Sequence, residues 1–303
     1  MHAGVIVVEG LRKSYGDLVA VDDVSLEVAG GEIFGILGPN GSGKTTTVEC
    51  LQGLRSADGG RIAVLGLDPR TNGAELRRRI GSQLQESALP DRMRVWEALD
   101  LFGALAADPV DTDLLLEQWG LGGKRNAAFA NLSGGQRQRL FVALALVNNP
   151  ALVFLDEMTT GLDPAARRTA WELIEAIRDR GATVVLVTHF MDEAERLCDR
   201  LAVIRSGRVV ASGTPQELVA QHGSGARVSF SIDASDLTWL EDVRGVRDVV
   251  RRGGRAVVSG DGPLLAYVAA ELVARGYAPE DLQVERSSLE EVFLHLVDAE
   301  PAR

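Results

Sequence analysis

A glycine-rich stretch near the start of the chain has the composition of a phosphate-binding loop. It consists of Gly38, Pro39, Asn40, Gly41, Ser42, Gly43, Lys44 and Thr45, and Thr46 follows it. Glycines at this spacing let successive backbone N–H groups point at phosphate oxygens, and the following helix adds the positive end of its dipole. We expect Lys44 to neutralise the β- and γ-phosphates of a nucleotide and the Thr45 hydroxyl to ligate Mg²⁺. The stretch therefore predicts a nucleotide site.

Two adjacent carboxylates, Asp156 and Glu157, follow an apolar run over residues 151–155 that is typical of a buried strand. A carboxylate at the tip of such a strand, beside a phosphate loop, can hold Mg²⁺ directly or through water. Glu157 is then placed to polarise an attacking water, as general base or as water-positioner. Two solvated acids at a strand end are the alternative, which the Thr-Thr-Gly-Leu-Asp sequence over 159–163 disfavours.

A second anion site is predicted where Ser133, Gly134, Gly135 and Gln136 follow Leu132. A helical pattern begins here, and Ser133 is a suitable N-cap residue. The N-terminus of a helix with glycines is suited to meet an anion. Because the chain already has one phosphate loop, this second site predicts that each nucleotide lies between two half-sites.

The elements that must hold these segments alternate between strands and helices. Residues 32–37 predict a buried strand that ends at the phosphate loop, and residues 45–51 a helix that ends at Gly53. A mostly parallel, doubly wound sheet is expected from the alternation that resumes over 163–218. Further short elements are predicted as strands at 5–8 and 26–28, a helix at 74–79 and a strand at 183–187.

The segment from 94 to about 147 predicts a helical subdomain. Val95, Leu99, Phe102 and Leu105 are spaced to form one buried helix face. Trp96, which directly follows Val95, fits a core residue of the helical subdomain; resemblance to a known protein family implies the alternative, a residue that docks another subunit.

A glycine-rich linker over 221–225 predicts a separate C-terminal domain. Strands are predicted at 228–232, 246–250, 256–259 and 282–285, and helices near 235–242, over 264–272 and from Ser288 onward. The last helix opens with a capping box, Ser288 to Glu291. We expect a small α+β domain of ferredoxin-like type, without a catalytic constellation.

The order and spacing of these motifs over roughly residues 4–220 resemble the ATP-binding cassette (ABC) ATPases. Residues 38–45 match their Walker A loop, 132–136 their signature, 151–157 their Walker B strand and 161–163 their D-loop. The resemblance implies an α/β P-loop NTPase: a RecA-like core with an antiparallel β subdomain and a helical subdomain of about 90–147. It places this domain at 1–222 and the C-terminal α+β domain at 223–303.

The resemblance also assigns residues that the local pattern alone would not reveal. Gln85 resembles the Q-loop glutamine that ligates Mg²⁺ and senses the γ-phosphate, and Gln83 is the alternative for this role. His189 resembles the switch histidine. Tyr15 resembles the aromatic residue that stacks on adenine. The implied catalytic residues are Glu157, His189, Lys44 and Gln85, and the implied metal ligands are Thr45, Gln85 and Asp156. The nucleotide-binding set comprises Tyr15, Gly38, Pro39, Asn40, Gly41, Ser42, Gly43, Lys44, Thr45, Thr46, Ser133, Gly134, Gly135, Gln136 and Asp163. Met158 stands where the family usually has proline, and we expect little effect on the chemistry.

Composition restricts the partners. The net charge of −11 and the pI of about 5.0 disfavour a nucleic-acid binder. Two cysteines, Cys50 and Cys198, suit a reducing cytosol. No apolar run approaches the roughly 20 residues that span a bilayer, so a transporter would need a separate membrane subunit. The family resemblance implies a head-to-tail homodimer with ATP and Mg²⁺ at its interface, peripheral on the cytoplasmic face of the cell membrane.

Export is the expected direction, because residues 80–105 and the C-terminal domain resemble those of drug-resistance ABC ATPases, including the daunorubicin type. The Leu-Glu-Glu-Val-Phe sequence over 289–293 is typical of these ATPases. The resemblance implies that the C-terminal domain serves dimer stabilisation or regulation. The cargo would be a drug, an antibiotic or a lipid-like molecule. An importer ATPase remains an alternative. A soluble ABC ATPase acting on ribosomes or DNA is disfavoured by the single cassette, the acidic balance and the lack of heptad repeats.

Overall fold

The computed structural model describes residues 4–83, 88–106, 108–223, 225–234 and 236–298. These residues form two compact units that divide between Pro215 and Gln216. Within the described ranges of the first unit, the strands are β1 Ile6–Tyr15, β2 Leu18–Val28, β3 Ile33–Leu37, β4 Gly59–Val64, β5 Ile80–Gln83, β6 Leu152–Asp156, β7 Thr183–Val187, β8 Arg200–Arg205 and β9 Arg208–Gly213. Its helices are α1 Lys44–Leu51, α2 Pro69–Arg77, α3 Val95–Gly103, α4 Thr112–Gln118, α5 Gly134–Leu146, α6 Pro164–Asp179 and α7 Met191–Leu197.

Helix α8, Pro215–His222, contains the division, which lies ahead of the linker that the sequence indicates. The second unit contains strands β10 Ala226–Ser231, β11 Val246–Arg252, β12 Arg255–Gly260 and β13 Gln283–Arg286, with helices α9 Leu264–Ala274 and α10 Leu289–Asp298. Short 3-10 helices occur at Gly122–Lys124, Phe129–Asn131 and Thr238–Leu240. The division into domains at residue 222 stays a prediction.

The main sheet of the first unit has six strands in the order β5-β6-β7-β3-β8-β9. Its first five strands are parallel and β9 pairs antiparallel with β8. Every residue of β3, β6 and β7 is buried, as continuous apolar runs in a covered parallel sheet require. Because these three strands are adjacent and parallel, the segments that follow them lie along one edge of the sheet, where ligands bind in open α/β sheets.

A second, antiparallel sheet has the order β2-β1-β4. Val8 lies opposite both Leu26 and Ile62, and all three side chains are buried. Strands β1 and β2 are longer than the sequence pattern predicts. Register shifts along this pair interrupt the apolar alternation. A strand pattern is therefore visible in the sequence only where residues 6–8 pair with residues 26–28.

The helical segment contains α3, α4 and α5, with Leu99 and Trp119 fully or nearly fully buried. The prediction of a continuous buried face is wrong for two of its residues. Phe102 is 39% exposed although it lies within α3, and Leu105 is 74% exposed because α3 ends at Gly103. The predicted start of α2 is also too late. This helix begins at Pro69, and the Asp68 side chain caps it by accepting from the Arg70 N–H.

The second unit is a four-stranded antiparallel sheet in the order β11-β12-β10-β13. Its core includes Val228, Phe230, Val258 and Val268. The order and the placement of α9 are those of a ferredoxin-like fold. The predicted helix near 235–242 is only the 3-10 turn Thr238–Leu240, which takes the place of the first helix of that fold.

Among the helices of the described segments, none is both long enough and apolar enough to cross a membrane.

Candidate functional site

The phosphate loop, residues 38–43, connects β3 to α1. The Lys44 ammonium lies across it and donates to the carbonyl oxygens of Gly38 at 2.8 Å and Pro39 at 3.0 Å. Gly43 has φ 101°, and a Cβ there would overlap the Ala20 carbonyl oxygen. Glycine is therefore required at this turn by both conformation and space.

Lys44 is nearly completely buried, and this burial lowers the pKa of its ammonium. The carboxylates of Glu157 and Asp156 oppose the shift because they attract the charged form. The loop therefore holds a poorly solvated cation beside two acidic groups. Such a cation gains most from an anionic ligand that replaces the hydration it has lost.

Asp156 ends β6 and is only 4% exposed. Burial raises the pKa of its carboxyl to about 6; the Glu157 charge adds to the rise and Lys44 opposes it. Its Oδ1 atom is buried without a hydrogen-bond partner. A free carboxylate oxygen at this position fits a divalent cation.

The cation would need further ligands. In the described part of the chain, no group of three or more His, Cys, Asp or Glu side chains is arranged to hold a metal ion. The exposed Thr45 hydroxyl at the start of α1 and the phosphate oxygens of a nucleotide can complete the coordination, as Mg²⁺ commonly requires. The residues present therefore fit a Mg²⁺–nucleotide complex better than a metal bound by protein alone.

Glu157 follows Asp156 with φ 48°, a left-handed conformation that is uncommon outside glycine. Its N–H donates to the carbonyl oxygen of Val187 at 2.9 Å, which ties it to the end of β7. His189 lies just beyond that end, with its Nδ1 atom 3.3 Å from Glu157 Oε1. The structure thus brings together two of the predicted catalytic residues, and a strained backbone position aims one at the other.

The His189 ring is supported from one side. It packs on Phe190, with ring centroids 4.1 Å apart, and the Arg167 guanidinium lies 4.1 Å from the Phe190 centroid. The His189 side chain is 39% exposed, whereas that of Glu157 is mostly buried. This contrast leaves the imidazole free to meet a ligand while Glu157 stays fixed.

The signature segment has the N-cap that its sequence predicts. The Ser133 hydroxyl accepts from the Gln136 N–H at 3.3 Å, and the Gln136 side chain accepts from the Ser133 N–H at 3.0 Å. Ser133 and Gly134 are exposed, so they can meet a second molecule.

The side chain of Asp163, another residue of the predicted nucleotide-binding set, caps α6. Its Oδ1 atom accepts from the N–H groups of Ala165 and Ala166.

Tyr15 ends β1 with its ring 39% exposed. The Lys13 ammonium and the Arg55 guanidinium lie 5.4 Å and 5.5 Å from the ring centroid. Lys13 is held there by an ion pair with Asp58 at 2.8 Å. An exposed ring with fixed neighbours suits stacking on a planar base.

Gln85 lies outside the described residues, so its role stays a prediction. Gln83, the alternative for this role, ends β5, is buried, and has an Oε1 atom without a hydrogen-bond partner.

Trp96 is half-buried beneath the Arg125 guanidinium, which lies 5.4 Å from its ring centroid. Met158 is buried and lines a cavity of about 170 Å³ with Val142 and Leu162.

Two buried polar residues near the site were missed by sequence reasoning. Thr47, on the first turns of α1, has a hydroxyl without a hydrogen-bond partner. Glu193 is fully buried in α7. Its spacing from Leu197 gave a usable signal, because residues four apart share one helix face and a charged residue on an apolar face is unusual.

Comparisons with known proteins agree with this geometry. Residues 21–160 match the ABC transporter family model. The chain is 39% identical to the daunorubicin resistance ATP-binding protein DrrA3 of Streptomyces coeruleorubidus, over 96% of this chain and 95% of that one. It is 41% identical to the Nod factor export ATP-binding protein I of Bradyrhizobium diazoefficiens, over the same shares.

A solved dimeric ATP-binding cassette in a post-hydrolysis state, bound to ADP and Pi, superposes with a TM-score of 0.63 at 25% identity. The match covers 69% of this chain and 98% of that one. The expected P-loop NTPase fold and the family resemblance are therefore confirmed. The chain belongs to the ABC transporter family, as an ATP-binding and ATP-hydrolysing subunit of the exporter type.

Proposed function

We propose that this chain hydrolyses Mg²⁺–ATP with Glu157 and His189, at a site completed by a second copy, and so drives export through a separate permease. The observation that carries the proposal is the Glu157–His189 pair, 3.3 Å apart, beside the buried Asp156 and Lys44. All four lie where parallel strands of one sheet end.

Lys44 and the loop bind the phosphates. Lys44 now satisfies its ammonium with the carbonyl oxygens of Gly38 and Pro39, which are neutral acceptors. Phosphate oxygens are charged acceptors and form stronger hydrogen bonds, so the ammonium exchanges partners when nucleotide enters. Tyr15 stacks on adenine at the other end of the nucleotide.

The metal ligands are Thr45, Asp156 and, from outside the described residues, Gln85. Bound Mg²⁺ would neutralise charge on the β- and γ-phosphates. Asp156 suits this role because its carboxylate is desolvated and has an unpartnered oxygen. The cost of keeping that charge buried is offset once the cation is present.

Glu157 and His189 act on the attacking water. Glu157 accepts a hydrogen bond from the water and polarises it, and its fixed backbone holds the carboxylate in place. His189, with its proton on Nδ1, would donate to the Glu157 carboxylate and orient it, and the exposed part of the ring would be open to the γ-phosphate. Together they favour in-line attack by positioning and charge.

A second copy completes the site. Ser133 and Gly134 lie exposed at the N-terminus of α5, a helix of 13 residues whose first N–H groups can meet the γ-phosphate of the opposite copy. A two-fold pair forms two such sites at once, which suits a homodimer. The solved cassette that resembles this chain is described as dimeric and bound to ADP and Pi, which supports a pair of copies.

The permease would dock beside the helical segment. A groove of about 700 Å³ is lined there by Ile80, Phe102, Leu105, Phe141 and Leu144. Leu105 is 74% exposed and Phe102 39%, an apolar surface that a lone subunit leaves in water. Docking of a permease helix on this groove would hold the chain at the inner face of the cell membrane.

The relatives are named for daunorubicin resistance and Nod factor export, which supports a drug, an antibiotic or a lipid-like molecule as cargo. The test is affinity purification of the chain from detergent-solubilised native membranes, with co-purifying proteins identified by mass spectrometry. Recovery of a multi-spanning subunit without a solute-binding protein is expected. Recovery of an extracytoplasmic solute-binding protein would favour an importer, and ribosomal proteins alone would contradict transport.

A matched pair of variants localises the docking surface. Leu105→Asp should abolish recovery of the membrane subunit because it places a charge in the groove. Leu114→Asp is the control, since Leu114 is 46% exposed on α4 and does not line the groove. Equal loss with both variants would contradict docking at this surface.

A further inference from the structure

A glutamate with no assigned role lies fully buried behind the catalytic pair. Glu193, in α7, is 0% exposed and shares the buried face of that helix with Ala194 and Leu197. Its Oε1 atom accepts from the Trp171 indole N–H of α6 at 3.0 Å. A buried carboxyl group is costly unless its environment supplies compensating interactions, so its presence here requires an explanation.

Polar side chains surround Glu193. The groups that shift its pKa are hydroxyls, an indole N–H and another carboxylate, and none of these is a cation. Burial raises the pKa of Glu193, and the hydroxyls of Thr188 and Thr159 and the Trp171 N–H oppose the rise. Asp192 adds to the rise. The neutral form is therefore easier to reach than in an exposed glutamate, and in that form the carboxyl group can both donate and accept a hydrogen bond.

The second carboxyl oxygen of Glu193, Oε2, interacts with the neighbouring threonine hydroxyls only outside ordinary hydrogen-bond geometry. Glu193 Oε2 and the Thr159 hydroxyl are both buried without a hydrogen bond of ordinary geometry. The Thr188 hydroxyl accepts from the Phe190 N–H at 3.0 Å and retains its own hydrogen for donation. Glu193 and the two threonine hydroxyls are therefore polar groups that face one another inside this buried cluster.

The two threonines belong to the segments that carry the catalytic pair. Thr159 lies two residues after Glu157, and Thr188 directly precedes His189. Trp171 belongs to a third element, the long helix α6, and anchors the carboxyl from behind. The Glu193 side chain thus interacts with one threonine hydroxyl on each of the two segments that form the 3.3 Å contact on which hydrolysis is proposed to depend.

We propose that Glu193 is a positioning residue that links the segment after Glu157 to the segment before His189 and holds these two side chains in the geometry needed for hydrolysis. This inference rests on the proposed roles of Glu157 and His189. A group that positions a catalytic pair affects turnover more than binding, because a small displacement of the reacting groups costs rate without removing a contact to the nucleotide.

The experiment measures steady-state ATP hydrolysis and ATP affinity of the purified full chain. Glu193→Met fills the space but removes both oxygens, so kcat should fall by about tenfold or more while the Kd for ATP changes by less than about twofold. Glu193→Gln keeps an acceptor for Trp171 and donors for the threonines, and should retain most of kcat. Glu195→Met, at an exposed position two residues along the same helix, is the matched control.

A double-mutant cycle with Thr159→Val tests the link itself. If Glu193 acts through the Thr159 hydroxyl, the double variant loses no more activity than Glu193→Met alone. Additive losses, wild-type kcat in Glu193→Met, or equal losses of kcat and ATP affinity would each overturn the proposal. If Glu193→Met fails to fold, Thr159→Val and Thr188→Val replace it, and unchanged kcat in both overturns the proposal equally.

Glu157→Gln separates this inference from the function on which it rests. If that variant still turns over ATP, the proposed role of Glu157 falls and the positioning role falls with it. If Glu157→Gln is inactive and Glu193→Met is fully active, only the positioning role is overturned.

Discussion

Asp156→Asn should stabilise the nucleotide-free protein although it removes a residue proposed for catalysis. In the folded chain the carboxylate is buried, one of its oxygens has no hydrogen-bond partner, and Glu157 lies next to it in the chain. Its pKa is raised from 3.8 to about 6, chiefly by burial and despite attraction from Lys44. The ionised form therefore costs stability that an amide does not.

The sign and size of the effect follow from the raised pKa. Between pH 3.8 and about 6 the folded protein binds more protons at Asp156 than the unfolded chain, so stability falls as the pH rises through this window. Above about pH 6 the penalty is complete. The pKa difference of roughly two units corresponds to a full penalty of about 3 kcal/mol. At pH ~5 about half of this penalty has developed.

The assay is urea unfolding in EDTA without nucleotide, at about pH 5 and about pH 8. Asp156→Asn should unfold at higher urea than the wild type, by the larger margin at the higher pH. Asp17→Asn is the control, because Asp17 is an exposed residue in the turn between β1 and β2. A gain that does not grow with pH, or no gain at all, would refute the assignment of a desolvated carboxylate at this position.

Three further changes test other parts of the structure. Lys44→Ala should weaken ATP binding by about tenfold or more, because charged hydrogen bonds to phosphate are lost; wild-type affinity in a fluorescence titration would contradict the loop assignment. Tyr15→Ala should cost about 1–3 kcal/mol of ATP binding through lost stacking, whereas Tyr15→Phe should bind normally, and equal losses would count against the ring. Phe230→Ala should cost the C-terminal unit about 3–5 kcal/mol because Phe230 is fully buried; native-state hydrogen exchange of the β10 and β12 amides measures this, and a shift below about 1 kcal/mol would be inconsistent with that core.

The sequence carried most of the information on the parallel strands and the nucleotide loop. Strands β3, β6 and β7 are fully buried, so their apolar runs were visible without knowledge of their neighbours. The loop and the two carboxylates follow these strands directly in the chain. Once the strands were known to be parallel, the meeting of Lys44, Asp156 and Glu157 at one edge could be expected.

Features that depend on tertiary packing were not visible in the sequence. Leu105 has the right spacing for a buried helix face, but α3 ends before it and leaves it exposed. The start of α2 was missed because proline and glycine around Asn72 resemble a turn, and this residue is indeed non-helical inside the helix. The spacing of Glu193 and Leu197 places both residues on one helix face, but the contact of that face with Trp171 of α6 is determined only by the fold.

The most direct test of the composite ATP site is sedimentation of the Glu157→Gln variant with and without Mg²⁺–ATP. The account predicts that this variant binds ATP, turns it over negligibly and becomes a dimer with two nucleotides only when ATP is present. Ser133→Arg in the same background should bind ATP yet stay monomeric, because the exposed helix N-terminus that meets the opposite nucleotide is blocked. An ATP-bound monomer of Glu157→Gln, or a dimer that persists with Ser133→Arg, would contradict the account.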